Sequence, residues 1–278
     1  MTGDAAPAPI DALEIDLLLE GMHRAYGLDM RAVPRELVEQ AVNGIMLESG
    51  VRTVSGLLDR VLHDRDYALR AADVLRCSDL ALFSDIAFYR AIRERVVPWL
   101  RTFPYSAVWV VQAGAGSDVN SLAIVLEEAG LYERTRIYAT EDDRDALARA
   151  AAGAMSPACL RASERNYRLS GGARELAAWF EERDGRQLAA PRIARHVVWS
   201  EYSLAEGQTF NEFNLILCRN VLSAMPPALQ RRAWRVLTES LCVSGLLALG
   251  PLERPDALPQ RSWYKPWANG AGLHQRVQ

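Results

Sequence analysis

The sequence predicts an α/β protein in which a doubly wound, largely parallel sheet follows a small helical domain. Short, fully apolar runs such as Val108-Trp109-Val110-Val111 and Leu215-Ile216-Leu217 have the length and composition of strands buried on both faces. Segments with apolar residues at helical spacing separate these runs, and strands that alternate with helices pair in parallel. From Asp11 to Leu75 the spacing is helical. Three parts follow: a tail over residues 1–10, a helical domain over 11–90 and the sheet domain over 91–278.

The tail has small and turn-forming residues without periodicity, so it is expected to be mobile. Ile15, Leu18, Leu19, Met22 and Tyr26 then recur on one helical face, leaving Glu14, Asp16 and Glu20 on the other. Pro34 suits the first position of a second helix that ends near Gly50, with Leu37, Ala41 and Ile45 as its buried stripe. Helices over residues 54–62 and 67–75 complete a small bundle. After Pro104 the pattern changes to strand: residues 108–111 end in a turn at Gly114 and Gly116, and Asp118 is placed to cap the next helix. Val119, Leu122, Ala123, Leu126 and Ala129 form that helix's apolar face. Residues 136–139 make the next strand, with Glu141-Asp142-Asp143 at its carboxyl end. Later strands fall at 196–199, 213–217 and 246–249, with helices at 145–152 and 227–241. Residues 154–195 read only as mixed helix and loop.

Composition narrows the function classes. With 278 residues, half of them hydrophobic, the chain can bury a substantial core plus a small helical domain. No apolar run approaches the roughly 20 residues that a bilayer requires, and no secretory signal is visible, so a cytoplasmic chain without membrane insertion is expected. The net charge of -3 gives no electrostatic case for nucleic-acid binding. Cys77, Cys159, Cys218 and Cys242 lack the close spacing of zinc or redox motifs, and four reduced, mostly buried thiols are expected. His23, His63, His196 and His274 are scattered, and no metal site is expected. Trp263, Tyr264 and Trp267 cluster near the C-terminus, as either a partner surface or the packing of closing strands and loops.

Two features point to a ligand. In a doubly wound sheet, ligands bind beyond the carboxyl ends of the strands, where glycine lets the backbone approach and a helix begins. Gly114-Ala115-Gly116 stands there, and alone it suits any strand-to-helix turn. Glu141, about one βα unit later, is placed to take a ribose hydroxyl pair. The strand at 213–217 runs into Cys218-Arg219-Asn220, which is either a ligand-facing corner or a polar strand end.

Phe88-Tyr89-Arg90, Trp109, Ser121-Leu122-Ala123-Ile124, Ala139-Thr140, Cys218-Arg219-Asn220-Val221 and the strand ending at Leu249-Gly250 fall in one order and spacing. Over roughly residues 13–275 this set resembles the CheR family, the chemotaxis-receptor methyltransferases. The resemblance implies a Rossmann-like class I methyltransferase sheet, S-adenosylmethionine as cofactor and receptor glutamates as acceptors. It implies a cofactor pocket made from Gly114, Gly116, Ser117 and Asp118 of the glycine loop, Glu141, then Ser203 and Leu204, and finally Cys218, Arg219 and Asn220. Arg219 is its catalytic candidate.

This chain also departs from the family's pattern. Ser78, Leu80 and Ser84 stand where the family has asparagine, threonine and arginine. Ser117 replaces the glutamate that holds the methionyl ammonium, Ser203 replaces an asparagine, and Ala224 replaces the tyrosine near the transferred methyl. The residues kept would place an adenosine, and those lost would place the methionine half. Because methyl transfer depends chiefly on positioning, the departures put cofactor binding and turnover in doubt. The helix stretch from Glu36 to Asn43, arginine-rich in the family, carries two carboxylates and no base. The expectation is a divergent CheR-type protein, catalytically impaired, that acts as a binding or regulatory module toward a receptor or signalling protein. An active S-adenosylmethionine-dependent protein carboxyl methyltransferase is the alternative.

Overall fold

The computed structural model describes residues 10–30, 33, 35–76, 81–204, 207–250, 253, 261–268 and 271–278. Cys77, Ser78, Leu80, Pro34 and the expected tail up to residue 9 lie outside the described residues. The chain divides into two compact units, 1–81 and 82–278. The motif Phe88-Tyr89-Arg90 therefore belongs to the second unit, although the sequence placed it at the end of the helical domain.

The first unit contains α1 (Ile10–Tyr26), α2 (Arg35–Ser49), α3 (Val54–His63) and α4 (Arg65–Arg76). Ile15, Leu18 and Met22 of α1 are buried with Val38, Val42 and Ile45 of α2, Leu57 and Val61 of α3, and Ala72 and Leu75 of α4. Burying such side chains supplies about 1.5–3 kcal/mol for each large one, which gives short helices their stability. Thr53 starts α3 by accepting the Gly56 N–H at 3.1 Å. Arg35, the base at the start of α2, is already paired with Asp16 and with Glu39 at 3.1 Å.

The second unit opens with α5 (Ile86–Ala91), which continues through a π turn (Ile92–Val96) into α6 (Val97–Leu100). Then come β1 (Ser106–Val111), α7 (Ser117–Glu128), β2 (Thr135–Glu141), α8 (Arg144–Ala152) and α9 (Pro157–Leu169). After these follow β3 (Phe180–Arg183), β4 (Arg186–Ala189), α10 (Pro191–Ala194) and β5 (Val197–Glu201). The unit closes with β6 (Phe213–Cys218), α11 (Pro227–Ser240), β7 (Leu241–Leu249), β8 (Tyr264–Ala268) and β9 (Leu273–Arg276).

Seven strands form one sheet in the order β5-β2-β1-β6-β7-β9-β8. The first five are parallel; β9 pairs antiparallel with β7, and β8 pairs antiparallel with β9 and so runs in the direction of the first five. From β1 the chain builds outward through β2 to β5, then returns to place β6 on the other side of β1. That reversal opens a crevice at the carboxyl ends of β1 and β6, the place where such sheets bind ligands. Helix α7 is buried nearly all round, from Val119 to Leu126. On the α11 side, Ala233, Trp234, Val236 and Leu237 pack with Trp109, Ile216, Leu247 and Leu249.

Two pieces went unread in the sequence. Strands β3 and β4 form a separate antiparallel hairpin turned by Asp184 and Gly185, whose φ values are +50° and +71°. Two successive positive φ values are what a tight hairpin turn requires, and Asp-Gly favours it. The second piece is the β8–β9 pair. Tyr264 there is buried, with its hydroxyl 2.7 Å from Thr238 Oγ1, so this aromatic of the C-terminal cluster belongs to packing. The thiol expectation also needs correction: Cys159 is disulfide-bonded, while Cys218 and Cys242 are free.

Candidate functional site

The site is assembled at the ends of β1, β2 and β6, all within the second unit. Beyond β1 the backbone takes positive φ at Gln112 (+46°), Gly114 (+57°) and Gly116 (+81°) before α7 begins. Gly116 has to be glycine: a Cβ there would lie 2.9 Å from the Ala150 carbonyl oxygen. Gln112 is the strained member, since an ordinary side chain is seldom held at positive φ away from a functional site. The loop is tied by Ala113 N–H to the Thr140 carbonyl at 2.9 Å and by Gly116 N–H to the Ala113 carbonyl at 2.8 Å.

Glu141 ends β2 and is 6% exposed. Its Oε1 accepts the Gly114 N–H at 2.5 Å, which joins the acidic residue to the glycine loop. Burial pushes its carboxyl above the usual range, helped by the neighbouring Asp142 and Asp143 carboxylates and opposed by the Gly114 bond and Arg149. One of its oxygens thus serves the loop.

Ser117 is the first residue of α7, half-buried and without a carboxylate. Asp118 does not cap that helix, contrary to the expectation. Gly116 holds the cap position with no side-chain bond, and Asp118 Oδ1 instead accepts the Tyr89 hydroxyl at 2.5 Å. The reason is proximity: α5 brings the buried Tyr89 against the first turn of α7. Burial and the Asp118 charge push the Tyr89 phenol well above its ordinary range, so it remains a donor.

Arg219 lies beyond β6 with its side chain 9% exposed. Its Nη2 donates to Asp85 Oδ2 at 2.5 Å, its Nη1 lies 4.0 Å from Asp118 Oδ1, and its guanidinium sits 4.2 Å from the Phe88 ring centre. Its Nε has no hydrogen-bond partner among the described residues. Asp85 also caps α5 through the Phe88 N–H at 2.9 Å. The motif Phe88-Tyr89-Arg90 thus supplies a ring and a hydroxyl to the Arg219–Asp118 pair.

Asn220 adopts φ +61°, a left-handed conformation that asparagine tolerates. Cys218 is fully buried, and its thiol is pushed well above the ordinary range by burial and by the Glu253 charge. Leu204 is buried, Ser203 is half-buried just beyond β5, and Ser84 is exposed. Ala224 closes the short turn Leu222–Ala224. Of the four histidines, His23 and His63 belong to the first unit, His196 faces Glu133 at 3.2 Å, and His274 is in β9. Among the described residues there is no metal-binding cluster and no helix long and apolar enough to cross a membrane.

Sequence reading missed Asp85, the partner of Arg219, and it also missed Glu253. Glu253 is 5% exposed and gathers backbone N–H groups from both strand ends. Its only signal was an acidic residue three positions after the Gly250 that closes a buried strand.

The strand order and the glycine loop beside an acidic strand end define a Rossmann-like methyltransferase domain. The family profile described as CheR methyltransferase, SAM binding domain, matches residues 82–265. Cher3 of Pseudomonas putida is 35% identical over 254 residues, covering 91% of this chain and 93% of its own length. Chemotaxis protein methyltransferase Cher2 of the same organism is 21% identical over 247 residues (86% and 89%). Chemotaxis protein methyltransferase 1 of Pseudomonas aeruginosa is 21% identical over 255 residues (88% and 92%). Among solved structures, the N-methyltransferase NodS of Bradyrhizobium japonicum, in complex with S-adenosylhomocysteine, is 16% identical over 64% of this chain and 65% of its own, with a TM-score of 0.35. The chain belongs to the CheR methyltransferase family.

Proposed function

We propose that this chain binds the adenosine half of S-adenosylmethionine or S-adenosylhomocysteine, is impaired in methyl transfer, and acts as a binding or regulatory module toward a protein partner. One observation carries the reading. Asp118, the carboxylate best placed to replace the missing grip at Ser117, is already engaged by Tyr89 and faces Arg219. An ammonium would have to compete with a hydrogen bond and a guanidinium that are part of the fold. The adenosine half fits better: Glu141 offers a carboxylate oxygen for ribose hydroxyls, and the glycines let the backbone come close.

In the family, S-adenosylmethionine supplies the methyl group. Here the chain's own residues would hold the nucleoside and keep Arg219 beneath Phe88. The chemotaxis named in the relatives points to a receptor or signalling protein as partner. A second reading, retained protein-glutamate methylation, is favoured by Arg219 Nε, a buried donor that a ligand carboxylate could use.

Calorimetric titration with S-adenosylhomocysteine, together with transfer of a labelled methyl group from S-adenosylmethionine, separates the two. Binding without transfer is expected. Measurable turnover would defeat the impaired reading, and absence of binding would remove the nucleoside site.

A further inference from the structure

The residue that sets the Arg219–Asn220 corner lies 33 positions away in sequence from Asn220. Glu253 Oε2 accepts the N–H groups of Asn220 and Gly250, each at 2.8 Å. Its Oε1 accepts those of Leu222 at 2.6 Å and Ser223 at 3.2 Å. Four backbone donors thus converge on one buried carboxylate, three from the segment after β6 and one from the end of β7. Each oxygen of that carboxylate thus accepts two donors, which an amide or a hydroxyl in its place could not reproduce.

Val221 and Leu222 of the same segment are buried in the core, which fixes their side chains but leaves the direction of the corner's amides to the carboxylate. Asn220 is held at φ +61°, and its Oδ1 lies over Gly250, where an added Cβ would come within 2.2 Å. Arg219, one residue earlier, meets Asp85, Asp118 and the Phe88 ring at the far end of a flexible side chain. If the backbone at 220–223 swung free, the guanidinium would lose its fixed root.

We infer that Glu253 is a positioning residue for the candidate ligand site, acting through the backbone of the Arg219–Asn220 corner. Its effect on a nucleoside rests on the function proposed above, whereas its effect on the corner does not.

The test compares the full chain with Glu253→Gln, which keeps the shape but turns one two-donor oxygen into a donor. Hydrogen–deuterium exchange should accelerate at least tenfold at the amides of residues 220, 222, 223 and 250, while β2 and α7 keep wild-type rates. S-adenosylhomocysteine should bind about tenfold more weakly to Glu253→Gln. That loss should shrink to less than twofold in an Arg219→Ala background, a non-additivity that general destabilisation would not produce. Should Glu253→Gln fail to fold, Glu253→Asp keeps the charge and should loosen the same four amides to a smaller degree.

Wild-type exchange at those amides in the folded variants overturns the inference, as does local loosening with unchanged S-adenosylhomocysteine affinity. If the wild type binds no S-adenosylhomocysteine, the nucleoside reading falls, and the exchange data alone decide whether Glu253 sets the corner.

Discussion

Replacing Glu141 by glutamine probes the nucleoside half of the site with little disturbance to the fold. The side chain is 6% exposed, and one oxygen already accepts the Gly114 N–H at 2.5 Å. Glutamine can keep that bond through its amide oxygen. Its amide nitrogen cannot accept a ribose hydroxyl, so the hydrogen bond lost is one to a charged group, worth about 1.5–3 kcal/mol. S-adenosylhomocysteine should therefore bind roughly 10- to 150-fold more weakly to Glu141→Gln, since about 1.4 kcal/mol is a factor of ten.

Stability should not fall with affinity. Burial raises the folded-state pKa of Glu141, so the folded chain holds that proton more tightly than the unfolded chain. Its contribution to stability is present at low pH and is lost as pH rises through the folded pKa. At neutral pH a neutral glutamine relieves a desolvated charge, and the melting temperature should hold or rise. The ligand has the opposite preference, because hydroxyl donors favour the ionised carboxylate. Wild-type affinity should decline as pH is lowered through the raised pKa, while Glu141→Gln shows no such decline. Calorimetric titrations at several pH values and thermal unfolding of both proteins provide the readouts. Equal affinity in wild type and variant, within twofold at neutral pH, would refute the assignment of Glu141 to the ribose.

Ser117→Glu restores a carboxylate at the first position of α7, where the helix dipole also favours it, and should tighten S-adenosylhomocysteine binding by about 1.5–3 kcal/mol in calorimetry. Gly250→Ala drives a Cβ to 2.2 Å from Asn220 Oδ1. It should cost about 1–3 kcal/mol in a denaturant titration, as overpacking does. Glu128→Gln leaves Arg93, held at 2.5 Å in the native chain, without its charged partner, and also alters the acceptor of the Tyr167 hydroxyl. Because both side chains are mostly buried, a loss of about 3 kcal/mol in chemical denaturation is expected.

The sequence by itself determined the elements whose cause is local. Val108–Val111 had to be a strand because a short run apolar on both faces is stable only inside a sheet. Gly114 and Gly116 marked the turn because glycine takes positive φ without strain. Helix α1 showed Ile15, Leu18 and Met22 as its buried stripe, and that stripe is what the bundle covers. The resemblance to the CheR family was legible for the same reason, since Cys218-Arg219-Asn220 and Glu141 sit at strand ends that local pattern could locate. The β3–β4 hairpin carried its own signal in Asp184-Gly185, but strands only four residues long hid it.

Partnership among side chains was decided only in three dimensions. Asp118 looked like a cap from its position, yet Tyr89 claims it, 29 residues away in sequence. Arg219 finds Asp85 across 134 positions, and Glu253 reaches the corner across 33. Sequence spacing reports which face of an element a residue occupies. It does not report which charges meet when the carboxyl ends of β1, β6 and β7 converge, because the sheet order that brings them together arises from the packing of the whole domain.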